Sequence, residues 1–267
     1  MLKGLWQALT RTASQVEARL AQTMAPPTSL TSSYYDLLDA WSQEGCVVCN
    51  LLLRSADRFL DGLLYERVLD PDSHRAFRER LGLCNEHSWQ ATRYMGGSLG
   101  LAILYSTALD RVLGILDKTP TQAPPSGLAR LFSRGRKAST LADWLEPSGP
   151  CIVCQAMAEA ERRYLHTLGK HIADPRLGKA YGQSDGLCLP HFRLALREIQ
   201  EPEKLALLIS LQRDIWARLK ADLEGLLDKS NYLRLHELGG REATSWRRAP
   251  GRLAGEKGVF GVDPRSD

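Results

Sequence analysis

All six cysteines of this chain lie in two kinds of short motif. A Cys-x-x-Cys pair is followed, after 34 intervening residues in the first half and 33 in the second, by Cys-x-x-His. Three thiolates and one imidazole form a standard closed ligand set for tetrahedral zinc, so each half is predicted to hold one metal ion. The predicted ligands are Cys46, Cys49, Cys84 and His87 in the first site and Cys151, Cys154, Cys188 and His191 in the second.

The ligand set favours structural zinc, two ions per chain, because no ligand position remains for water or a substrate. An iron–sulfur cluster is the main alternative, although clusters usually take four cysteines. Redox chemistry without metal is a further alternative, since Cys-x-x-Cys at a helix start also occurs in thioredoxin-like proteins. The histidine at the same offset in both halves argues against this last interpretation.

The motifs are expected to begin helices. Gly45 precedes the first Cys-x-x-Cys and Gly149-Pro150 precedes the second, and each pair leads into a helical pattern. The first ligand of each motif then lies at the helix start, and the second lies three residues further along the same face. The unpaired N–H groups and the positive dipole end of such a helix stabilise thiolate charge.

The agreement between the two halves extends beyond the ligands. An offset of 104–105 residues aligns Asp70-Pro71 with Asp174-Pro175 and Gly82-Leu83 with Gly186-Leu187. Further matches follow the histidines, where Leu101-Ala102 corresponds to Leu205-Ala206. This pattern indicates duplication of a whole structural unit rather than two chance metal motifs.

Apolar residues recur at intervals of three and four in both units, which predicts helices, and no segment alternates with a period of two. We therefore predict an all-α fold of two homologous helical units, each cross-linked by its own Cys₃His site and packed face to face. The predicted organisation is an N-terminal amphipathic helix at 1–27, unit 1 at 33–118, a linker at 119–140, unit 2 at 141–229, and a C-terminal docking segment around Trp246 followed by a loose tail at 230–267.

Composition and charge restrict the class of protein. The 43% of hydrophobic residues is enough for a buried core, and the net charge of +4 arises from 35 basic and 31 acidic residues. Such a mixed surface does not favour nucleic acid as a partner. We find no secretory signal and expect no transmembrane segment. A cytoplasmic location is expected, where paired cysteines more often bind metal than form disulfides.

The sequence favours a non-catalytic zinc-binding scaffold or adaptor for a protein partner. No HExxH, GxSxG, GxGxxG or P-loop motif is present, so nothing in the sequence supports catalysis. An iron–sulfur electron-transfer protein is one alternative function. A nucleic-acid-binding zinc protein is another, because Arg130, Arg134, Arg136 and Lys137 form a small basic cluster in the linker.

The paired Cys-x-x-Cys and Gly-Leu-Cys-x-x-His units, together with Ser245-Trp246-Arg247-Arg248 near the C-terminus, resemble an uncharacterised prokaryotic family, a domain of unknown function. The resemblance covers most of residues 33–260. It implies a helical, metal-binding cytoplasmic protein and supplies no activity. The chain departs from a helical C-terminal segment at Pro250-Gly251, so we expect helical order to end near Trp246.

Overall fold

A computed structural model of the protein describes residues 30–117, 141–230 and 234–260. These ranges form α-helices joined by short loops, with one 3₁₀ turn at Leu235–Glu237 and no β-strand. The all-α prediction is therefore confirmed for the described part of the chain. The N-terminal helix predicted for 1–27 and the linker at 119–140 lie outside it.

The helices recur in the same order in the two units, five in the described part of each. In chain order they are α1 Ser32–Ala40, α2 Val47–Tyr65, α3 Pro71–Glu79, α4 Asn85–Ala91, α5 Ser98–Asp117, α6 Leu141–Trp144, α7 Ile152–His171, α8 Pro175–Gln183, α9 Leu189–Glu198, α10 Pro202–Lys229 and α11 Gly240–Leu253.

The aligned Asp-Pro pairs start equivalent helices. Asp70 is the N-cap of α3 and accepts a hydrogen bond from the amide of Ser73, while Asp174 caps α8 by accepting from the amides of Arg176 and Leu177. Proline then occupies the first helical position, where its fixed φ fits and its missing N–H costs no hydrogen bond. The same local sequence thus starts the third helix of each unit, α3 and α8, in the same way.

The two units pack against each other mainly through α2 and α7, the helices that follow the Cys-x-x-Cys motifs. Their facing side chains, among them Leu51, Leu60 and Leu168, are buried in one continuous core. Two tyrosines add polar links between the units: Tyr34 donates to Asp174 at 2.9 Å, and Tyr164 donates to Asp36 at 3.1 Å. Because the units share a core, neither has a separate apolar interior.

The C-terminal segment differs from the prediction. Helix α11 continues through Pro250 to Leu253, so the expectation that helical order ends near Trp246 is wrong. The segment around Trp246 packs on α10, but the Trp246 side chain itself is 56% exposed. Charged residues hold α11 in place instead: Arg248 pairs with Asp222 of α10 at 2.7 Å. Proline removes one backbone donor, and these tertiary contacts keep the helix intact despite that loss.

Within the described ranges, one helix, α5, is long and apolar enough by length and composition to cross a membrane, which the sequence analysis did not anticipate. One side of α5 packs on α3 and α2, with Leu104 and Ala108 buried. Its opposite side carries exposed leucines between Asp110 and Asp117. The apolar composition of α5 therefore has two sources, a core face and a separate surface face.

Candidate metal centres

The four motifs have the local structure that their sequences predict. Cys46, Cys84, Cys151 and Cys188 are N-cap residues of α2, α4, α7 and α9, each with extended ψ. The second ligand of every motif therefore lies three residues into its helix, on the same side as the first. Glycines at positive φ precede three of these helices, at Gly45, Gly82 and Gly186, where an L-residue would be strained. The loop before Cys151 uses Gly149-Pro150.

The eight predicted ligands form two groups, but not the groups predicted from the sequence. Within each group all four ligand atoms lie within 4.8 Å of one another. We name them the first quartet, Cys46, Cys49, Cys188 and His191, and the second quartet, Cys84, His87, Cys151 and Cys154. Each combines the Cys-x-x-Cys motif of one unit with the Cys-x-x-His motif of the other. The prediction that each unit closes its own site is wrong.

Repetition of the motif explains the error. The same spacing occurs in both units, so the sequence is satisfied equally by closure within a unit and by exchange between units. The packing of α2 on α7 decides between these possibilities, because it brings the start of each helix to the Cys-x-x-His motif of the opposite unit. The metal centres therefore cross-link the two units rather than strengthen each one separately.

Hydrogen bonds outside the ligands show the same exchange. Ahead of the first quartet, the amide of Gly45 donates to Asp185 at 3.0 Å, and Asp185 lies just before the Gly-Leu-Cys188 turn. Ahead of the second, Arg80 Nε donates at 2.8 Å to the carbonyl of Pro150. Each contact joins the two loops that supply one quartet. The crossed arrangement thus does not depend on the sulfur positions alone.

The first quartet is completely buried around Nδ1 of His191. That nitrogen lies 3.4, 3.3 and 3.2 Å from the sulfurs of Cys46, Cys49 and Cys188, and the last two sulfurs are 3.7 Å apart. Burial opposes charge, but hydrogen bonds from Cys188, Cys49 and His191 hold the pKa of Cys46 well below its usual value. Burial also lowers the pKa of His191, and its contacts with Cys188, Cys46 and Glu161 raise it to about 11. Without a cation, this quartet favours a thiolate beside an imidazolium.

The second quartet repeats this geometry closer to the surface. Nδ1 of His87 lies 3.1, 3.8 and 3.3 Å from the sulfurs of Cys84, Cys151 and Cys154. Hydrogen bonds from Cys154 and Cys84 hold the pKa of Cys151 far below its usual value, and donation to Cys151 and Cys84 raises that of Cys154. Burial works against a charged His87, yet hydrogen bonds to Cys151 and Cys84 raise its pKa to about 9.

Glu161 is a candidate site residue that the sequence motifs did not indicate. Its Oε1 lies 2.9 Å from Nε2 of His191, the ring nitrogen that faces away from the sulfurs. A carboxylate at this nitrogen fixes the orientation and tautomer of a metal-binding histidine. Glu161 follows Cys154 by seven residues, two helical turns along α7, and this spacing is the one sequence signal that could have indicated it.

The arrangement can hold a tetrahedral cation in each quartet with four protein ligands. The described residues form helices and no strands, and they contain two Cys₃His groups that the duplicated units share. The chain is therefore an all-α protein with two candidate metal centres. The model of DUF6062, a family of unknown function, matches residues 35–248. The chain therefore belongs to this family, in agreement with the resemblance in its motifs.

One relative is similar to this chain over almost its own whole length. The chain is 22% identical over 223 residues to a protein of Caldicellulosiruptor sp. (strain Rt8B.4) described as an uncharacterised 23.9 kDa protein in the xynA 3′ region. The match covers 82% of this chain and 99% of that protein. No solved structure is significantly similar to this chain.

Proposed function

We propose that this protein is a non-catalytic helical scaffold whose two Cys₃His centres bind structural zinc and lock the duplicated units together. The crossed quartets carry this proposal, because each joins a helix start of one unit to a helix start of the other. A cation bound in the first quartet would link residues that lie far apart in the sequence, such as Cys49 and Cys188, which are 139 positions apart. Cross-links of this kind couple metal binding to folding.

The distances support one zinc ion per quartet. Zinc binds sulfur at about 2.3 Å, so two sulfurs on one tetrahedral ion are about 3.8 Å apart. Cys49 and Cys188 are 3.7 Å apart, and so are Cys84 and Cys154. An iron–sulfur cluster would need room for several irons and bridging sulfides between its cysteines. The close approach of the four ligand atoms therefore favours a single ion over the cluster alternative.

The ligand chemistry supports a structural role. Four protein ligands complete a tetrahedral shell and leave no position for water or substrate. The carboxylate of Glu161 on His191 adds the outer contact typical of a well-ordered zinc site. All six cysteines are without disulfide partners, and we place the protein in a reducing cytoplasm, where thiolate sites persist.

Helix α5 offers a surface for a protein partner. Six exposed residues follow one another along it at intervals of three and four, the spacing of the contact positions in a coiled coil. This seam consists of Leu99, Ala102, Ser106, Leu109, Leu113 and Leu116. Leu109 and Leu113 are 58% and 55% exposed.

Comparison with the second unit shows that the fold does not require this apolar seam. At an offset of 104 the same exposed positions of α10 are Glu203, Ala206, Ser210, Arg213, Ala217 and Lys220. Charged or small residues thus replace all four leucines. Asp110 and Asp117 flank the α5 seam, so its partner is an amphipathic helix with its own apolar stripe and basic residues beside it.

Metal content and chelation test the zinc proposal directly. Protein purified without added metal should contain about two zinc ions per chain and no iron. Removal of zinc should lower the melting temperature and loosen the helices. Full retention of the helical circular dichroism signal and of the melting temperature after complete removal of zinc would contradict a structural role. A brown, iron-containing protein would show that the sites hold iron–sulfur clusters instead of zinc.

Substitution of the seam tests the partner surface. Affinity purification with the wild-type chain should recover one stoichiometric protein partner, and Leu109→Lys with Leu113→Lys should abolish its recovery. The matched control is Ala217→Lys, at the position of the second unit that corresponds to Leu113. Self-association of the wild-type chain or its flotation with lipid vesicles, lost in the same double variant, would assign the seam to a second copy or to a membrane instead.

A further inference from the structure

The two quartets lie at different depths. All four side chains of the first quartet are 0% exposed. In the second, Cys151 is 6% and His87 is 3% exposed, while Cys84 and Cys154 are only partly buried. The same motif in the two units therefore produces one enclosed centre and one that reaches the surface through two of its sulfurs.

A cavity of about 200 Å³ gives access to the second quartet. Its wall contains Cys84, His87 and Cys154, together with the carboxylates of Glu86 and Glu161. Apolar residues and the chain segment 258–260 form the rest of the wall. Because two cysteines line it, a small molecule in this cavity would touch the metal ligands themselves. Its carboxylates would attract cations and disfavour anions.

The histidines of the two quartets also differ in their outer contacts. His191 has the carboxylate of Glu161 on its Nε2. Among the described residues, Nε2 of His87 has no hydrogen-bond partner. At the offset of 105 residues that aligns the Cys-x-x-Cys motifs, the residue equivalent to Glu161 is Ala56, which is buried. The duplication therefore supplies the orienting carboxylate to one centre only.

The C-terminal segment protects the first quartet as well. The ring of Phe260 lies 4.9 Å from that of His191, measured between centroids. Gly255 has φ of +88°, and a Cβ placed on it would lie 3.7 Å from the sulfur of Cys188 and only 2.5 Å from the Phe260 ring. Glycine is needed for this close approach of backbone to the centre. The segment thus shields the first quartet and borders the cavity at the second.

We infer that the two centres have separate roles: the first retains its cation and releases it only slowly, and the second is an exchangeable site that takes up and releases a thiophilic divalent cation through the cavity. This inference rests on the proposed zinc binding. Exchange proceeds by ligand substitution without oxidation. An incoming neutral thiol would bind the cation as the sulfur of Cys84 or Cys154 leaves, and the proton that the incoming thiol gives up would pass to the departing thiolate. Glu86 would provide a transient oxygen ligand along this path, whereas the carboxylate of Glu161 stays on His191.

Release kinetics test the inference on the full-length protein loaded with two zinc ions. A small neutral chelator such as 1,10-phenanthroline, added in excess, should remove zinc in two phases of one equivalent each. The rate constant of the fast phase should exceed that of the slow phase by about 10–100-fold, the range by which outer-shell contacts alter metal affinity. Release of both equivalents at a single rate would overturn the inference.

Cysteine alkylation identifies the centre that empties first. When one equivalent has been released, a short pulse of N-ethylmaleimide followed by peptide mass spectrometry should label Cys84, Cys151 and Cys154. The other three cysteines, Cys46, Cys49 and Cys188, should remain protected. Because the six cysteines divide evenly between the quartets, the labelling pattern leaves no ambiguity. Equal labelling of the two sets of three cysteines would contradict the assignment.

Two substitutions connect the rates to the structural features. Ala158→Leu narrows the cavity and should slow the fast phase while leaving the slow phase unchanged. The exposed Ala206→Leu serves as its control and should alter neither phase. Glu161→Gln removes the carboxylate from His191 and should accelerate the slow phase, so that the two rates converge. An unchanged slow rate in this variant would show that the contact between Glu161 and His191 does not cause the slow release.

The outcomes distinguish this inference from the function on which it rests. A protein that binds no zinc, or that keeps its full stability without it, would refute the structural role. A protein that binds two zinc ions and needs them, yet releases both at one rate, would leave the scaffold proposal intact and refute only the exchangeable site.

Discussion

The sulfur of Cys49 lies 3.7 Å from that of Cys188, although 139 residues separate them. This contact joins a helix start in the first unit to a helix start in the second. The other quartet makes the reciprocal contact, between Cys84 and Cys154 at 3.7 Å. The two units of the duplication are therefore connected twice, once in each direction. Loss of either metal should weaken the joint between the units and not the interior of one unit alone.

Zinc affinity should increase with pH. A cation binds imidazole only in its neutral form, so binding must displace a proton from each histidine. The pKa values of His87 and His191 are raised to about 9 and about 11, and both rings are therefore protonated at pH 7 before metal binds. Competition titrations between pH 6 and 8 should show at least about a tenfold gain in affinity per pH unit at each site. A pH-independent affinity would contradict the geometry of the thiolate and imidazolium pairs.

Loss of the α8 cap should cost more than loss of the α3 cap. Asp70→Ala removes an N-cap and should lower the free energy of unfolding by about 1 kcal/mol. Asp174→Ala removes the equivalent cap and also the acceptor of the buried Tyr34 hydroxyl, which adds about 1–3 kcal/mol. Urea denaturation of the zinc-loaded variants measures both values. Equal losses would mean that the Tyr34 contact contributes nothing to stability.

The buried Arg252 should be essential for docking of α11. Its guanidinium donates to Asp185 at 2.6 Å, and Asp185 also accepts from Gly45 at the first quartet. Arg252→Ala leaves the carboxylate of Asp185, 16% exposed, with the Gly45 amide but without its cation, and should cost about 3 kcal/mol. Arg241→Ala is the control: its side chain is 69% exposed and 3.5 Å from Asp222, so the cost should be below about 1 kcal/mol.

Protease sensitivity of the C-terminal segment gives an independent measure of the same contact. Limited proteolysis should cleave within α11 in Arg252→Ala at protease concentrations that leave Arg241→Ala intact. Similar stability and similar cleavage in the two variants would contradict the docking role of the buried ion pair.

Local chemistry made much of the site predictable from the sequence. The ligand motifs follow turn residues and precede apolar patterns of period 3.6, and Cys46, Cys84, Cys151 and Cys188 accordingly begin helices. These are short-range effects that each motif determines alone. The all-α fold was accessible for the same reason.

The combination of motifs was not predictable in this way. Closure within a unit and exchange between units place the same residue types at the same spacing, and only the packing of α2 on α7 selects exchange. The role of Arg252 and the continuation of α11 through Pro250 depend likewise on tertiary contacts. Local signals at Pro250 oppose the helix, and long-range ion pairs override them.

Paired cysteine substitutions test the crossed quartets most directly. Cys49→Ser with Cys188→Ser removes two ligands of the first quartet, so this variant should retain one zinc ion per chain. Cys49→Ser with Cys84→Ser removes one ligand from each quartet and should retain about none when zinc in both variants is measured after gel filtration in metal-free buffer. The reverse result, with one ion kept by the Cys49 and Cys84 variant and none by the Cys49 and Cys188 variant, would show that each unit closes its own site and would contradict the account.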